Sequence, residues 1–100
     1  MTVIDGNTLD GVSATTLWTL HNRATEAKRP GGAIEDPLAV RLFGDVRYDY
    51  LKFGRPNQSH ALRAAAFDAV TADYLRAHPK ASVVALAEGL QTSFWRLDAM

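Results

Sequence analysis

The run "ASVVALAEG" at residues 81–89 constrains the fold of this chain more than any other segment. It is apolar, rich in β-branched residues and bounded by turn residues, which is typical of a parallel strand covered on both faces. Such a strand needs neighbours for its backbone hydrogen bonds. No second convincing strand is visible in the sequence. We therefore expect one strand near residues 82–87, whose partners come from another copy, another protein or a larger α/β domain.

Helical patterns cover the first half of the chain. Apolar residues recur at helical spacing after Ser13, a suitable N-cap, and predict a helix over residues 14–28. Asp36 followed by Pro37 is typical of an N-cap and first helical position, and predicts a short helix near residues 37–43. The polar residues before Ser13 read as an irregular arm that would be ordered only by docking.

The second half begins with a weak pattern and continues with a strong one. Residues 45–57 predict at most one further helical turn before glycine and proline break it. An alanine-rich segment then predicts a long helix over residues 59–78, which ends at His78-Pro79. Within that helix, Arg63, Phe67, Val70 and Tyr74 share one stripe.

Composition narrows the classes of function. The chain has 100 residues, enough for one small domain, and equal numbers of acidic and basic residues, 11 each. A neutral chain has no broad cationic surface for nucleic acid, and the absence of cysteine excludes disulfides and thiolate metal sites. The three histidines have no pair at ligand spacing, so we expect no metal site. Without a signal peptide or a long apolar run, the sequence predicts a soluble cytoplasmic protein that binds no membrane.

Three ordered blocks carry a resemblance to a known family: "SATTLWTLHNRATEAKRPGGAIEDPLAVRLF", "HALRAAAFDAV" and "HPKASVVALAEGLQTSFWRLD". Together they resemble the N-terminal portion of the leucine carboxyl methyltransferase-like family of S-adenosylmethionine-dependent methyltransferases. The resemblance implies an α/β, Rossmann-like fold, of which this chain holds the mostly helical beginning. It divides the chain into an arm at residues 1–12, a helical cap at 13–79, and a first strand and cofactor turn at 80–98.

The same resemblance implies the site residues. Arg63 takes the place of an arginine that pairs with the cofactor carboxylate, Arg23 lies near a second such position, and Glu88, Gly89 and Leu90 form the cofactor turn. Judged from the residues alone, Arg63 is more simply a helix-surface arginine that pairs with Asp68 or with solvent. With the resemblance, the surface role and the cofactor role are about equally supported. No residue stands out as a catalytic base.

The turn departs from the family pattern at three positions. Ala87 replaces a glycine, Gln91 an aspartate and Ser93 an arginine, whereas Thr92 and Arg96 match. The added methyl group and the missing charge pair predict weaker cofactor binding.

Two functions remain open at this stage. The first is methyl transfer to a carboxyl or hydroxyl oxygen of a small molecule, carried by a truncated chain that another chain complements. The second is an inactive remnant or interaction module that self-associates through its unpaired strand.

Overall fold

The computed structural model describes residues 3–86 and 89–100, with Val12 described by its backbone alone. Within those residues the elements are β1 (Ile4–Asp5), α1 (Gly11–Lys28), α2 (Pro37–Asp45), β2 (Val46–Arg47), α3 (Ser59–Ala77) and α4 (Ser93–Asp98). Single turns of 3-10 helix span Gly6–Thr8 and Tyr50–Phe53. The described chain is therefore mostly helical with a short parallel sheet, which is compatible with part of an α/β fold.

Helix α1 lies at the centre of the molecule. Leu17, Leu20 and Ala24 are three and four residues apart, so they project from one face, and all three are fully buried. They pack with Ala39 of α2 and Val46 of β2 to form the core. Six partly buried apolar side chains pack around this core: Leu42, Phe43, Tyr48, Tyr50, Phe53 and Leu90.

The helix ends test the capping predictions. Asp36 caps α2 as predicted, since its Oδ1 accepts from the backbone N–H of Ala39 at 3.1 Å. The long helix ends at Ala77, before the predicted His78-Pro79 stop. The N-cap assigned to Ser13 is wrong, because α1 begins at Gly11 with Asp10 as its N-cap. Ser13 lies inside the helix, where its carbonyl accepts from the hydroxyl of Thr16 at 2.9 Å.

The predicted strand is wrong over its described part. Residues 82–86 form no strand, and Ala87 lies outside the described residues. A strand exists only with a partner ladder, and among the described residues the two-stranded sheet consists of β1 and β2 paired in parallel with each other. Both of these strands have two residues, too few for an alternating pattern to be visible in the sequence.

Ordering of the N-terminal arm comes from docking. Ile4 lies opposite Val46 and Asp5 opposite Arg47, so β1 joins the start of the chain to the end of α2. The arm is thus more regular than its turn-rich sequence indicates, because the hydrogen bonds that order it come from residues some 40 positions away.

Helix α3 packs through its small residues. Ala61, Ala64, Asp68 and Ala72 are buried, whereas Phe67 is 67% exposed. Short side chains allow the helix to approach α1 closely, and this contact leaves the large apolar stripe outside. None of the helices described is long and apolar enough to cross a membrane.

Candidate functional site

The turn at residues 89–92 is docked on α1. Gly89 has a positive φ of 61°. A Cβ added there would lie 2.8 Å from Cγ2 of Thr16, so the backbone of the turn touches the helix. Beside this contact, Nη2 of the buried Arg23 donates to the carbonyl of Leu90 at 2.7 Å. Glycine is therefore required for both its backbone conformation and the space it leaves.

A buried charge network holds the chain that follows the turn. Arg96 donates from Nε to Oδ2 of Asp68 at 2.6 Å and from Nη1 to Oδ2 of Asp36 at 2.9 Å. Nη1 also donates to the hydroxyl of Thr92 at 2.8 Å. Burial by itself lowers the pKa of Arg96, but the hydrogen bonds to both aspartates outweigh that effect and raise it above its usual value. One guanidinium thus joins α4 to α3 and to the start of α2.

Asp36 divides its two carboxylate oxygens between different tasks. Oδ1 caps α2, whereas Oδ2 accepts from Arg96 and from the hydroxyl of Thr92. Asp36 and Thr92 are almost fully buried. Two short polar side chains with no access to water are held in one arrangement by these bonds, because any other arrangement leaves buried groups unsatisfied.

A cleft of about 650 Å³ opens between α1, α3 and the turn. Thr15, Thr16 and Thr19 line its α1 side. Arg63 reaches it from α3, and Gly89 borders it from the turn. The volume is in the range of small-molecule and cofactor sites, and the exposed guanidinium of Arg63 suits an anionic group. A further wall is apolar, formed by Phe67, Val83, Val84, Ala85, Leu86 and Leu97.

His60 lies at the Arg63 end of the cleft. Its Nδ1 is 2.7 Å from the side-chain nitrogen of Asn22. An amide nitrogen can only donate, so Nδ1 accepts this hydrogen bond and the ring proton resides on Nε2. Asn22 in turn accepts from the N–H of Asn57 at 3.1 Å. Burial lowers the pKa of His60, and the positive charges of Arg63 and Arg23 lower it further. The ring is therefore neutral at pH 7, in a field that favours anions.

The structure brings together most of the residues that the sequence implicated. Arg23 and Leu90 are directly bonded, Gly89 lies on the same turn, and Arg63 faces the same cleft. Glu88 lies outside the described residues. Arg63 is exposed. Asp68, the alternative partner expected for Arg63, forms an ion pair with Arg96.

Three contributions were missed by sequence reasoning. Asp36 was identified as a helix cap only, Asp68 as a partner of Arg63, and His60 as one of three histidines without a pair at metal-ligand spacing. His60 precedes Arg63 by three residues on one helix, a spacing that places both on the same face and that gives a usable signal. The meeting of Asp36 and Asp68 at Arg96 has no local signal, because they lie 60 and 28 positions before it, respectively.

The chain is similar to the tetracenomycin polyketide synthesis O-methyltransferase TcmP of Streptomyces glaucescens, with 31% identity over 93 residues. It is related to a methyltransferase. The matched region is 90% of this chain and 34% of the relative, so the chain spans about a third of the length of that curated protein. No family model and no solved structure matches the chain. The methyltransferase relationship agrees with the expected class, while the leucine carboxyl methyltransferase-like branch stays a prediction.

Proposed function

We propose that this chain forms the cofactor-binding part of an S-adenosylmethionine-dependent O-methyltransferase site with a Rossmann-like fold. The observation that supports this most is the convergence of Arg63 and the Gly89 turn on one cleft, at positions that the family resemblance assigns to the cofactor. Similarity to a polyketide O-methyltransferase supports the same class of reaction.

The residues around the cleft fit such a cofactor. The guanidinium of Arg63 suits the carboxylate of its methionine part, because it offers paired donors in a fixed plane. Gly89 borders the cleft and has no side chain of its own, so a ligand can approach the backbone of the turn on the side that faces away from Thr16. Arg23 acts one step away by fixing the carbonyl of Leu90 and hence the turn.

When bound, S-adenosylmethionine supplies a methyl group on a sulfonium that is already reactive. The protein then contributes mainly alignment and the exclusion of water. The apolar wall of the cleft, which includes Phe67 and Val83, serves the second task. We assign the methyl acceptor to small molecules with a carboxyl or hydroxyl oxygen. Since the relative is nearly three times as long, we further propose that the acceptor side of the site comes from polypeptide beyond these 100 residues or from a complementing chain.

Calorimetric titration of the purified chain with S-adenosylmethionine and S-adenosylhomocysteine tests this function. Saturable binding is expected, and Arg63→Ala should weaken it about tenfold or more, since a hydrogen bond to a charged group contributes roughly 1.5 to 3 kcal/mol. Arg76→Ala is the matched control, because Arg76 lies on the same helix, outside the cleft, and its ion-pair partner among the described residues is the exposed Asp73. Absence of binding by the folded chain, or equal losses in both variants, would contradict the proposal.

A second function rests on a separate observation. Val84 and Leu86 are 77% and 83% exposed, in a segment that forms neither helix nor strand and has no partner strand among the described residues. An exposed apolar segment is a template for pairing with another chain, so we propose self-association as the alternative. Light scattering should then show dimers that Leu86→Lys dissociates, while Leu51→Lys, at an equally exposed leucine, leaves them intact. A monomeric wild-type chain at high concentration would exclude this alternative.

A further inference from the structure

The carboxylate of Asp36 joins the start of α2 to the end of the 89–92 turn. Through Oδ1 it caps α2, and through Oδ2 it accepts from Thr92 and Arg96, which flank the end of the 89–92 turn. The cleft is bordered by Gly89, Gln91 and Arg96 but not by Asp36. Any influence of Asp36 on the cleft must therefore pass through Thr92 and the turn or through Arg96.

The remaining contacts of the turn show why an anchor matters. Gly89 touches Thr16, and Leu90 accepts from Arg23, both on α1. Those contacts set the first half of the turn, whereas Thr92, buried with its hydroxyl bonded to Asp36, sets the second half. With both halves fixed, the backbone of Gly89 has a single orientation toward the cleft.

We propose that Asp36, together with Thr92 and Arg96, acts as a positioning residue that holds the 89–92 turn in its ligand-ready conformation. The effect on ligand affinity rests on the proposed function, whereas the effect on the turn does not. Asp36 touches no ligand in this account. It couples the start of α2 to the cofactor side of the cleft.

Two substitutions separate this coupling from simple stability. Asp36→Ser keeps a good helix cap but is too short to reach both Thr92 and Arg96. Thr92→Val removes only the hydroxyl and preserves the shape of the side chain, which keeps the test decisive if the first variant fails to fold. Thr8→Val is the control, because the hydroxyl of Thr8 donates to the carbonyl of Asp5 at 3.1 Å and does not border the cleft.

The readout that needs no ligand is nuclear magnetic resonance of the free chain. The wild type should show a nuclear Overhauser effect between the α protons of Gly89 and the methyl group of Thr16. Asp36→Ser and Thr92→Val should weaken it severalfold well below the melting temperature, while the Ala39 amide stays protected from exchange. Undiminished contact between Gly89 and Thr16 in both variants would overturn the positioning role.

Titration of the same samples with S-adenosylhomocysteine tests the consequence for ligand binding. A wild-type chain that binds should lose about tenfold in affinity in both variants, because each loses a buried hydrogen bond that holds the turn. Unchanged affinity despite a released turn would overturn the coupling to the cleft. A wild-type chain that does not bind would refute the proposed function, and the Gly89 to Thr16 contact would still decide the positioning role.

Discussion

Replacing Gly89 by alanine tests the docking of the turn most sharply. A φ of 61° costs an L-residue about 1 to 2 kcal/mol. The new Cβ would also meet Cγ2 of Thr16, whose rotamer is fixed by its hydroxyl bond to the carbonyl of Ser13. Rotating that side chain away sacrifices the bond, worth about 1 kcal/mol. Reduced freedom of the unfolded chain returns about 0.4 to 1 kcal/mol.

The expected net result is a loss of about 2 kcal/mol in the free energy of unfolding, measured by urea denaturation. The loss should register globally because Leu90, next in the chain, packs against the core. In a Thr16→Ser background, which lacks the Cγ2 methyl group, Gly89→Ala should cost about 1 kcal/mol less, and the difference isolates the contact between the two residues.

Gly44→Ala is the matched control with the opposite sign. Gly44 lies within α2, and an added Cβ there meets nothing within 4 Å. Alanine should therefore stabilise the chain by up to about 1 kcal/mol through helix propensity. A Gly89→Ala variant as stable as the wild type, or one whose loss is the same with Thr16 and with Ser at that position, would refute the docked turn.

Three further predictions concern titratable groups. Burial lowers the pKa of His21 and of His60, so at acidic pH the unfolded chain binds more protons than the folded chain. The free energy of unfolding should therefore fall as pH drops below about 6.5, and urea titrations at pH 7 and 5 would measure the difference. Equal midpoints at the two pH values would contradict this. Hydrogen bonds from Arg29 and from the backbone N–H of Ala33 lower the pKa of Glu26 to about 2. The charged carboxylate therefore stabilises the folded chain fully at pH values above the ordinary pKa of glutamate, and this stabilisation is lost as pH falls through about 2. Carbon-detected titration should return that value, and Arg29→Ala should raise it. Replacing Arg96 by glutamine leaves two buried carboxylates without their cation, which costs about 3 to 5 kcal/mol in the free energy of unfolding. The melting temperature should fall by roughly 12 °C or more. A shift of only a few degrees would show that the network is not buried.

The helices were predictable because their signals are local. Asp36 and Pro37 specify the start of α2 within two residues, and the spacing of Leu17, Leu20 and Ala24 specifies the buried face of α1. The end of α1 at Lys28 was predicted correctly, whereas its start was placed three residues too late because Ser13 was taken as the N-cap. The burial of several polar side chains of this helix was not predicted, since contacts elsewhere in the molecule cause it. Arg23 is the clearest case, fully buried because the 89–92 turn lies over it.

The predicted strand was wrong over residues 82–86 because its sequence pattern shows only that the segment is suited to pairing, and no partner is among the described residues. Residue propensity favours a strand at this segment, but a strand forms only when a second segment supplies its hydrogen-bond partners. Val84 and Leu86 are exposed because these apolar side chains, which suit a paired strand, have no partner strand to cover them among the described residues.

Individual residues of the candidate site were predictable from the sequence, but the contacts that hold the turn in place were not. Resemblance to a family pointed to Arg63 and Gly89, and the structure places both on one cleft. The altered positions Gln91 and Ser93 predicted a turn without its bracing charge pair. The structure shows that bracing comes instead from Arg96 and the two aspartates that it joins, a contact that no local pattern encodes.

The most direct test of the central claim is a nitrogen–proton correlation spectrum of the labelled chain, recorded with increasing S-adenosylhomocysteine. The cofactor-site account predicts saturable shifts concentrated at Thr16, Gly89, Gln91 and the side chain of Arg63, with little change at Arg76 or in β1. A spectrum that does not change, or shifts centred away from the cleft, would contradict the account.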